Sequence, residues 1–277
     1  MTATRRFAQV DVFGDGAAYG NPVAVVIDGD GLDDAELQRF ANWTNLSETT
    51  FLLPATQEGA DYRVRIFTPS RELPFAGHPT LGSAHAWLEA SGEDSRERLV
   101  QECAAGLVQL RRGADGRLAF AGPPLVRSGP LDEAMLAGIV ASLGVDREEV
   151  VDHAWTDNGP GWATVLLASA DAVLALAPTE PGESREIGVV GLHPDGTPEV
   201  RAFVIEDGGY WEDPVTGSLN AGVAEWLLGS GRLTAPYVAR QGTALGRVGR
   251  IHIDRDSDGT IWVGGQTRTV TSGTAVV

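Results

Sequence analysis

The chain has 277 residues, 43% of them apolar, which is enough material for a hydrophobic core. It carries 38 acidic and 21 basic residues and a formal charge of −17, which argues against nucleic-acid binding and against docking on anionic membranes. All the basic residues are arginines, so lysine chemistry such as a Schiff base is excluded. The single cysteine, Cys103, allows no internal disulfide and no cysteine-based zinc cluster. The chain has no signal-peptide pattern and no apolar run of membrane-spanning length, and we expect a cytoplasmic protein.

Strand patterns dominate the first half of the chain. Runs rich in β-branched residues and bounded by glycine or aspartate predict strands over residues 7–13, 22–28, 49–55, 61–68, 98–111 and 117–120. Asp33, with Glu36 three residues later, is a capping-box pattern that predicts the start of a helix. A second helix is predicted over residues 79–90, because a proline stands at its start and Gly92 follows its end.

A stretch rich in proline and glycine divides the chain. Gly122-Pro123-Pro124 and Ser128-Gly129-Pro130 predict a boundary between domains at residues 1–126 and 127–277, with the C-terminal tail free to return to the first domain. In the second half we predict helices over residues 131–143 and 219–228. Strands are predicted over residues 162–168, 186–192 and 200–205, with a hairpin formed by 250–254 and 260–263.

An internal repeat links the two halves. When the chain is shifted by 140 residues, segment 72–84 falls on segment 212–224, and identical pairs appear at Glu72/Glu212, Pro74/Pro214, Gly77/Gly217, Gly82/Gly222, Ala84/Ala224 and Leu88/Leu228. Upstream, Val64-Arg65-x-Phe67 matches Val200-Arg201-x-Phe203. Each half therefore has a strand, an E-x-P-x-x-G turn and a helix rich in small residues. This pattern indicates duplication of one domain rather than a solenoid array.

Each repeated turn leads into the N-terminus of a helix. Unpaired backbone N–H groups and the helix dipole make such a position favourable for an anion. Gly77 and Gly217 allow a ligand to approach the backbone closely, because no Cβ intervenes. Two such turns facing one ligand would hold a small carboxylate without lysine or metal. The simpler alternative is that the glycines only close tight turns.

The polar side chains at the two turns differ. The first turn has His78 where the second has Ser218, and the second has Asp213 where the first has Leu73. Different polar residues at matched positions of a duplicated scaffold suggest one site built from both halves. The alternatives are a helix-start histidine bonded to backbone and an aspartate that serves a turn or cap.

Glu48 is a third candidate for chemistry. It lies between the first predicted helix and the strand at 49–55, and it is flanked by Leu46 and Phe51. An apolar wall there would raise the pKa of its carboxyl toward neutrality, as an acid–base catalyst requires. The alternative is an ordinary exposed loop glutamate.

Motifs spread along nearly the whole chain carry a resemblance to a known family. They are DVF (11–13), GNPVAV (20–25), NLSETTF (45–51), FTP (67–69), ELPFAGHPTLG (72–82), NGP (158–160), EDPVTGS (212–218) and QG (241–242). In these motifs the chain resembles the PhzF family, the phenazine-biosynthesis-type isomerases related to diaminopimelate epimerase.

The resemblance implies an α+β fold of two pseudo-symmetric domains, each a β-barrel wrapped around a central helix, with the active site between them. It implies proton transfer at carbon on a small carboxylate metabolite without a cofactor or metal; the type reaction is a double-bond shift in a dihydro-hydroxyanthranilate. The residues carried over by motif are the catalytic Glu48, His78 and Asp213 and the substrate-binding Asn21, Gly77, Gly217 and Ser218. Glu48 would be the proton shuttle. A homodimer is expected from the family.

The chain departs from the related epimerases, which use two opposed cysteines before the motif glycines. Here those positions are Ala76 and Thr216, so racemisation by two thiols is excluded. A single glutamate that removes and returns a proton favours a double-bond shift over inversion. Two alternatives remain: an epimerase that uses Glu48 with a second base, and a non-catalytic member that binds a small molecule or a protein.

One other motif resembles a metal site. Residues 254–259 resemble the start of a calcium loop, but the twelfth position is Gly265 instead of glutamate, and the run joins two predicted strands. We therefore expect a hairpin turn there and no metal site.

Overall fold

The computed structural model describes residues 3–93, 95–178, 186–206 and 209–277. Its helices are α1 Asp34–Thr44, α2 Gly77–Ser91, α3 Glu133–Leu143, α4 Ala170–Leu174 and α5 Gly217–Gly229. Its strands are β1 Thr4–Val12, β2 Asn21–Val26, β3 Glu48–Leu53, β4 Tyr62–Phe67, β5 Glu72–Leu73, β6 Arg98–Cys103, β7 Gly106–Arg112, β8 Leu118–Ala121, β9 Val150–Trp155, β10 Ala163–Leu167, β11 Glu186–Leu192, β12 Pro198–Glu206, β13 Gly209–Asp213, β14 Tyr237–Gln241, β15 Gly249–Arg255, β16 Ile261–Gly265 and β17 Thr267–Val276.

The chain divides into two compact units. The first combines Met1–Ala121 with Gly264–Val277, and the second is Gly122–Val263. The chain thus passes between the units a few residues before the boundary predicted at residue 126.

The first unit is a strongly curved arrangement of paired strands around one helix. β1 pairs antiparallel with both β17 and β2, β2 pairs parallel with β3, and β3 pairs antiparallel with β4. β4 continues antiparallel to β5 and parallel to β6, which leads through antiparallel pairs to β7 and β8. α2 packs against β1, β2, β3, β8 and β17, so the strands of this unit surround it.

The small residues of α2 are required by this enclosed position. Residues 77–84 are all buried. A Cβ added to Gly82 would lie 2.3 Å from Val23 Cγ1, closer than packed atoms can approach. A helix with ordinary side chains at these positions would not fit inside the strands.

The second unit repeats the pairing order of the first. β9 pairs antiparallel with β10, β10 parallel with β11, and β11 antiparallel with β12. β12 then pairs antiparallel with β13 and parallel with β14, and β14 pairs antiparallel with β15. The helix α5 is buried over residues 217–224, and a Cβ on Gly222 would lie 2.1 Å from the Thr156 carbonyl oxygen.

The repeated sequence also makes the same contact in both units. Arg65 donates from Nε and Nη2 to the two carboxylate oxygens of Glu72, at 2.7 and 2.6 Å. Arg201 makes the same fork with Glu212, at 3.0 and 2.7 Å. Planar guanidinium and carboxylate groups favour this two-bond geometry. Each fork ties the strand before the repeated turn to the start of that turn, and so fixes the path of the chain into the following helix.

Local signals in the sequence are matched by the structure in two further places. Asp33 and Glu36 form the predicted capping box, with Asp33 Oδ1 accepting from the Glu36 amide at 2.9 Å. The calcium-like run forms a hairpin turn, in which the Asp256 amide donates to the Thr260 carbonyl at 2.9 Å. Within the described residues, no helix is long and apolar enough to cross a membrane.

Candidate active site

Glu48 is the first residue of β3. Asn45 follows the last residue of α1, and its left-handed φ of 53° turns the chain back toward the strands. β3 then aligns Glu48 beside Val23 of β2. The Glu48 side chain is only 15% exposed. The strand pairing therefore holds this carboxylate against the protein interior while leaving part of it open to a ligand.

His78 lies in the first turn of α2 and is buried. Its Nδ1 is 3.4 Å from Glu48 Oε2 and 3.3 Å from the Nδ2 atom of Asn21, the first residue of β2. Three elements of the first unit, β2, β3 and α2, thus bring together three residues that are far apart in the sequence. We call Asn21, Glu48, Gly77 and His78 the Glu48 cluster.

The His78 imidazole is neutral at ordinary pH. Its burial lowers its pKa to about 3, against a weaker opposing effect of the Pro22 carbonyl. The contact with Glu48 is therefore not an ion pair. When Nδ1 of the neutral ring is bare, it accepts a hydrogen bond from the Asn21 amide at 3.3 Å.

Both repeated helices begin without a side-chain cap. Ala76 is the N-cap of α2 and Thr216 that of α5, and neither side chain bonds to the first amides of its helix. Gly77 and Gly217 are each the first helical residue, two positions earlier than the sequence predicted. Backbone N–H groups at such positions are suited to an anionic ligand.

Asp213 ends β13 and is buried together with the turn that follows it. Its Oδ2 accepts a hydrogen bond from Thr216 Oγ1 at 2.5 Å. Gln241 of β14 braces the same turn: its Oε1 accepts from the Thr216 amide at 3.0 Å, and its Nε2 donates to the Asp213 carbonyl at 3.1 Å. Asn220 of α5 also donates to Gln241 Oε1, at 2.8 Å. The EDPVTGS turn is thus held in one conformation by side chains from two other elements.

Ser218 is held from two sides by the segment that precedes β10. The indole Nε1 of Trp162 donates to Ser218 Oγ at 3.0 Å, and Asn158 Nδ2 donates to the Ser218 carbonyl at 2.9 Å. Ser218, Asn158 and Trp162 are all buried, with 8, 8 and 3% of their surface exposed. We call Asp213, Gly217 and Ser218, with Asn158, Trp162 and Gln241 around them, the Ser218 cluster.

The predicted site residues therefore form two clusters, one in each unit. Asn158, Trp162 and Gln241 were not predicted as site residues. The sequence did contain a signal for Gln241, because Gln101 stands at the equivalent position 140 residues earlier. Gln101 likewise donates to the helix of its own unit, at Thr80 Oγ1, 2.9 Å away. Nothing in the local sequence indicates that Trp162 faces Ser218.

The side chains of the Glu48 cluster are suited to proton transfer. A partly exposed carboxylate beside a neutral imidazole can take a proton from a ligand and return it. Within the part of the chain that the structure describes, no three histidine, cysteine, aspartate or glutamate side chains are arranged to hold a metal ion.

Comparison with known proteins gives a family for this architecture. The model of the family described as phenazine biosynthesis-like protein, PhzC-PhzF, matches residues 10–277. A protein of Schizosaccharomyces pombe named antisense-enhancing sequence 1 is 36% identical over 98% of both chains. The trans-2,3-dihydro-3-hydroxyanthranilate isomerase of Pseudomonas aeruginosa is 38% identical over 62% of this chain and 61% of its own.

Solved structures agree with this likeness. A protein of Pseudomonas aeruginosa described as a predicted epimerase superposes with a TM-score of 0.83 over 99% of both chains, at 27% identity. A hydroxyproline epimerase of Agrobacterium vitis has the same fold, with a TM-score of 0.61 at 14% identity. The α+β, diaminopimelate epimerase-like fold predicted from the sequence is confirmed.

The fold and the relatives define an isomerase. More narrowly, the chain belongs to the phenazine biosynthesis-like PhzF family.

Proposed function

We propose that this chain is a cofactor-independent isomerase that moves a proton between carbons of a small carboxylate, with Glu48 as its acid and base. The observation that carries the proposal is the Glu48 cluster, in which a largely buried carboxylate lies 3.4 Å from His78 Nδ1. A general acid or base held in this way contributes about 10²–10⁴-fold to the rate of a proton transfer.

The other residues have roles that follow from their chemistry. His78, being neutral, polarises the substrate by hydrogen bonding and adds no second charge beside Glu48. Asp213 is the third catalytic residue of the proposal, beside Glu48 and His78. Asn21, Ser218 and the amides at Gly77 and Gly217 bind the substrate, the amides taking its carboxylate.

Thiol chemistry is absent from this proposal for a physical reason. Ala76 and Thr216 occupy the positions where a pair of cysteines would act. The chain's one cysteine, Cys103, is buried, and burial raises the pKa of its thiol, which disfavours the reactive thiolate. One carboxylate remains as the proton carrier, which favours a double-bond shift over inversion of configuration.

The relatives supply the first substrate to test. Trans-2,3-dihydro-3-hydroxyanthranilate is named for the Pseudomonas aeruginosa isomerase, and it carries the carboxylate that the proposal requires. Incubation of the protein with this compound and with a panel of cyclic and acyclic amino acids in deuterated water, followed by nuclear magnetic resonance, detects both reactions. A shifted double bond with deuterium at carbon supports the proposal.

Two other outcomes have different meanings. Inverted configuration at the labelled carbon would favour an epimerase, the activity in the description of the Pseudomonas aeruginosa structure. Absence of deuterium from every carboxylate in the panel would overturn the catalytic proposal and leave a protein that only binds. We also propose that the protein acts as a cytoplasmic homodimer, as the family resemblance implies; sedimentation of the purified chain tests the dimer.

A further inference from the structure

The hydrogen bond between Trp162 and Ser218 has a fixed direction. An indole Nε1–H is a donor only, so Ser218 Oγ accepts at the 3.0 Å contact. The Ser218 hydroxyl hydrogen has no acceptor among the residues that the structure describes. A serine oxygen has two accepting lone pairs and one hydrogen to donate, and here the tryptophan occupies one of the lone pairs while the hydrogen is left for a ligand.

Trp162 is itself held rigidly. The Thr156 amide donates to the Trp162 carbonyl at 3.0 Å. Just before it, the amides of Gly159 and Gly161 both donate to Asp157 Oδ1 at 2.8 Å, which closes the loop that carries the indole. These bonds fix the main chain that carries the indole, and the indole itself is packed in the interior, since Trp162 is only 3% exposed.

The main chain at Ser218 is fixed by the same loop. Asn158 Nδ2 donates to the Ser218 carbonyl at 2.9 Å, and a carbonyl can only accept, so the amide orientation of Asn158 is also determined. Both the backbone and the hydroxyl of Ser218 are thus positioned by residues 156–162.

We propose that Trp162 is a positioning residue that biases the Ser218 hydroxyl toward donating its hydrogen to a ligand. The ligand group that meets Ser218 is then preferably an acceptor, such as a carboxylate or carbonyl oxygen, and an amine or amide N–H, for which one lone pair of Oγ remains, binds less well at that point. This inference rests on the proposed function, because it takes Ser218 to be a ligand contact. It adds a physical reason why the site would select a ligand with an acceptor at that point.

The test compares two probes of the same shape. The probes are 3-hydroxyanthranilate, the aromatic counterpart of the named substrate, and its carboxamide, which presents N–H donors in place of one carboxylate oxygen. Binding is measured by calorimetry for the unmodified protein and for Trp162→Phe, which removes the N–H and keeps the ring. We expect the unmodified protein to prefer the carboxylate and Trp162→Phe to reduce that preference by about fivefold or more.

The matched control is Trp262→Phe. Trp262 is a buried tryptophan of the same unit whose Nε1 donates to Asp256 Oδ2, at 2.8 Å, in the hairpin turn. Its replacement should leave the preference between the two probes unchanged. An equal effect of both substitutions, or no effect of Trp162→Phe, overturns the inference.

Two further measurements separate positioning from general damage. In a Ser218→Ala background, Trp162→Phe should add little to the change in preference, because the residue acts through the hydroxyl; additive effects contradict the inference. In the unmodified protein, adding 3-hydroxyanthranilate should shift the indole N–H resonance of Trp162 and leave that of Trp262 in place. This second measurement needs no folded variant, and an unmoved Trp162 resonance overturns the inference.

Failure of this inference differs from failure of the proposed function. The proposed function is tested by the turnover of Glu48→Gln, whereas this inference is tested by binding alone. Loss of probe preference in Trp162→Phe alone supports the inference whatever the turnover of Glu48→Gln. Binding of neither probe to the unmodified protein counts against both.

Discussion

Oε2 of Glu48 lies 3.4 Å from Nδ1 of His78, although the two groups do not form an ion pair. Burial of the imidazole lowers its pKa to about 3, so a carboxylate faces an uncharged ring. A protonated ring would hold Glu48 as a fixed anion and favour its ionised form. A neutral ring places no fixed positive charge beside the carboxylate, which is compatible with the proposed role of Glu48 as a proton shuttle.

The buried imidazole should make the protein less stable in acid. Between the ordinary histidine pKa of about 6.5 and the folded value of about 3, the unfolded chain binds a proton that the folded chain does not. The free energy of unfolding therefore falls as the pH falls through this range, by at most about 1.4 kcal/mol per pH unit from this group. His78→Gln should show a shallower loss between pH 7 and pH 4 in urea unfolding. Identical slopes for the two proteins would contradict the buried neutral state.

The two arginine–glutamate forks should differ in strength. Arg201 and Glu212 are 6% and 11% exposed, whereas Arg65 and Glu72 are 25% and 36% exposed. Glu212→Gln leaves a buried guanidinium without its counter-charge and should cost about 3–5 kcal/mol. The equivalent Glu72→Gln should cost about 0.2–1 kcal/mol, because water solvates the exposed partner. Urea unfolding of both variants measures the two losses of unfolding free energy. Equal losses would show that burial does not make one fork stronger than the other.

Gln241 should matter more than its counterpart Gln101. Gln241 is fully buried and bonds the Asp213 carbonyl, the Thr216 amide and hydroxyl, and the Asn220 side chain. Gln241→Leu leaves several buried polar groups unsatisfied, each at about 1–3 kcal/mol.

Gln101 provides the comparison, since its side chain bonds the Thr80 and Tyr62 hydroxyls and no main-chain amide or carbonyl of the described residues. Gln101→Leu should therefore lower the unfolding free energy by less than Gln241→Leu does. Thermal unfolding of the two variants decides the order, and the reverse order would contradict the bracing role given to Gln241.

The central helices should not tolerate a methyl group at their repeated glycine. In Gly222→Ala the new Cβ meets the Thr156 carbonyl oxygen at 2.1 Å, and in Gly82→Ala it meets the end of the Val23 side chain at 2.3 Å. Both should destabilise, Gly222→Ala more, because backbone yields less readily than a side chain.

A control for helix propensity is available in α3. Gly138 has open space around its Cβ position, and Gly138→Ala should stabilise by about 0.5–1 kcal/mol. Unfolding free energies of the three variants give the comparison. Stabilisation by all three would mean that the central helices are not tightly enclosed.

Local signals in the sequence account for the parts of the fold that were predicted. The Asp33 capping box, the β-branched runs and the repeat all depend on neighbouring residues or on exact spacing, and the corresponding elements are present. β17 was not predicted, because its residues are largely exposed and rich in threonine, so it lacks the alternating apolar pattern of a half-buried strand. α4 has only 5 residues, too few for a helical periodicity.

The candidate site also has residues that the sequence predicted and residues that it did not. Glu48, His78, Asp213 and Ser218 could be selected from motifs. Asn158 and Gln241 stand in the NGP and QG motifs, but their contacts are not visible in the sequence, and Trp162 stands in no motif. Trp162 is 56 residues and Asn158 60 residues from Ser218 in sequence. Such contacts form only in the folded unit, and nothing in the residues beside Trp162 encodes its partner.

The most direct test of proton transfer by Glu48 is the rate at which deuterium from solvent enters carbon. The measurement uses trans-2,3-dihydro-3-hydroxyanthranilate in deuterated water with the unmodified protein, with Glu48→Gln and with Glu58→Gln, a change at an exposed loop position. We predict that Glu48→Gln is slower by about 10² to 10⁴-fold while it still binds the ligand, and that Glu58→Gln matches the unmodified protein. Incorporation by Glu48→Gln at the rate of the unmodified protein would contradict the account.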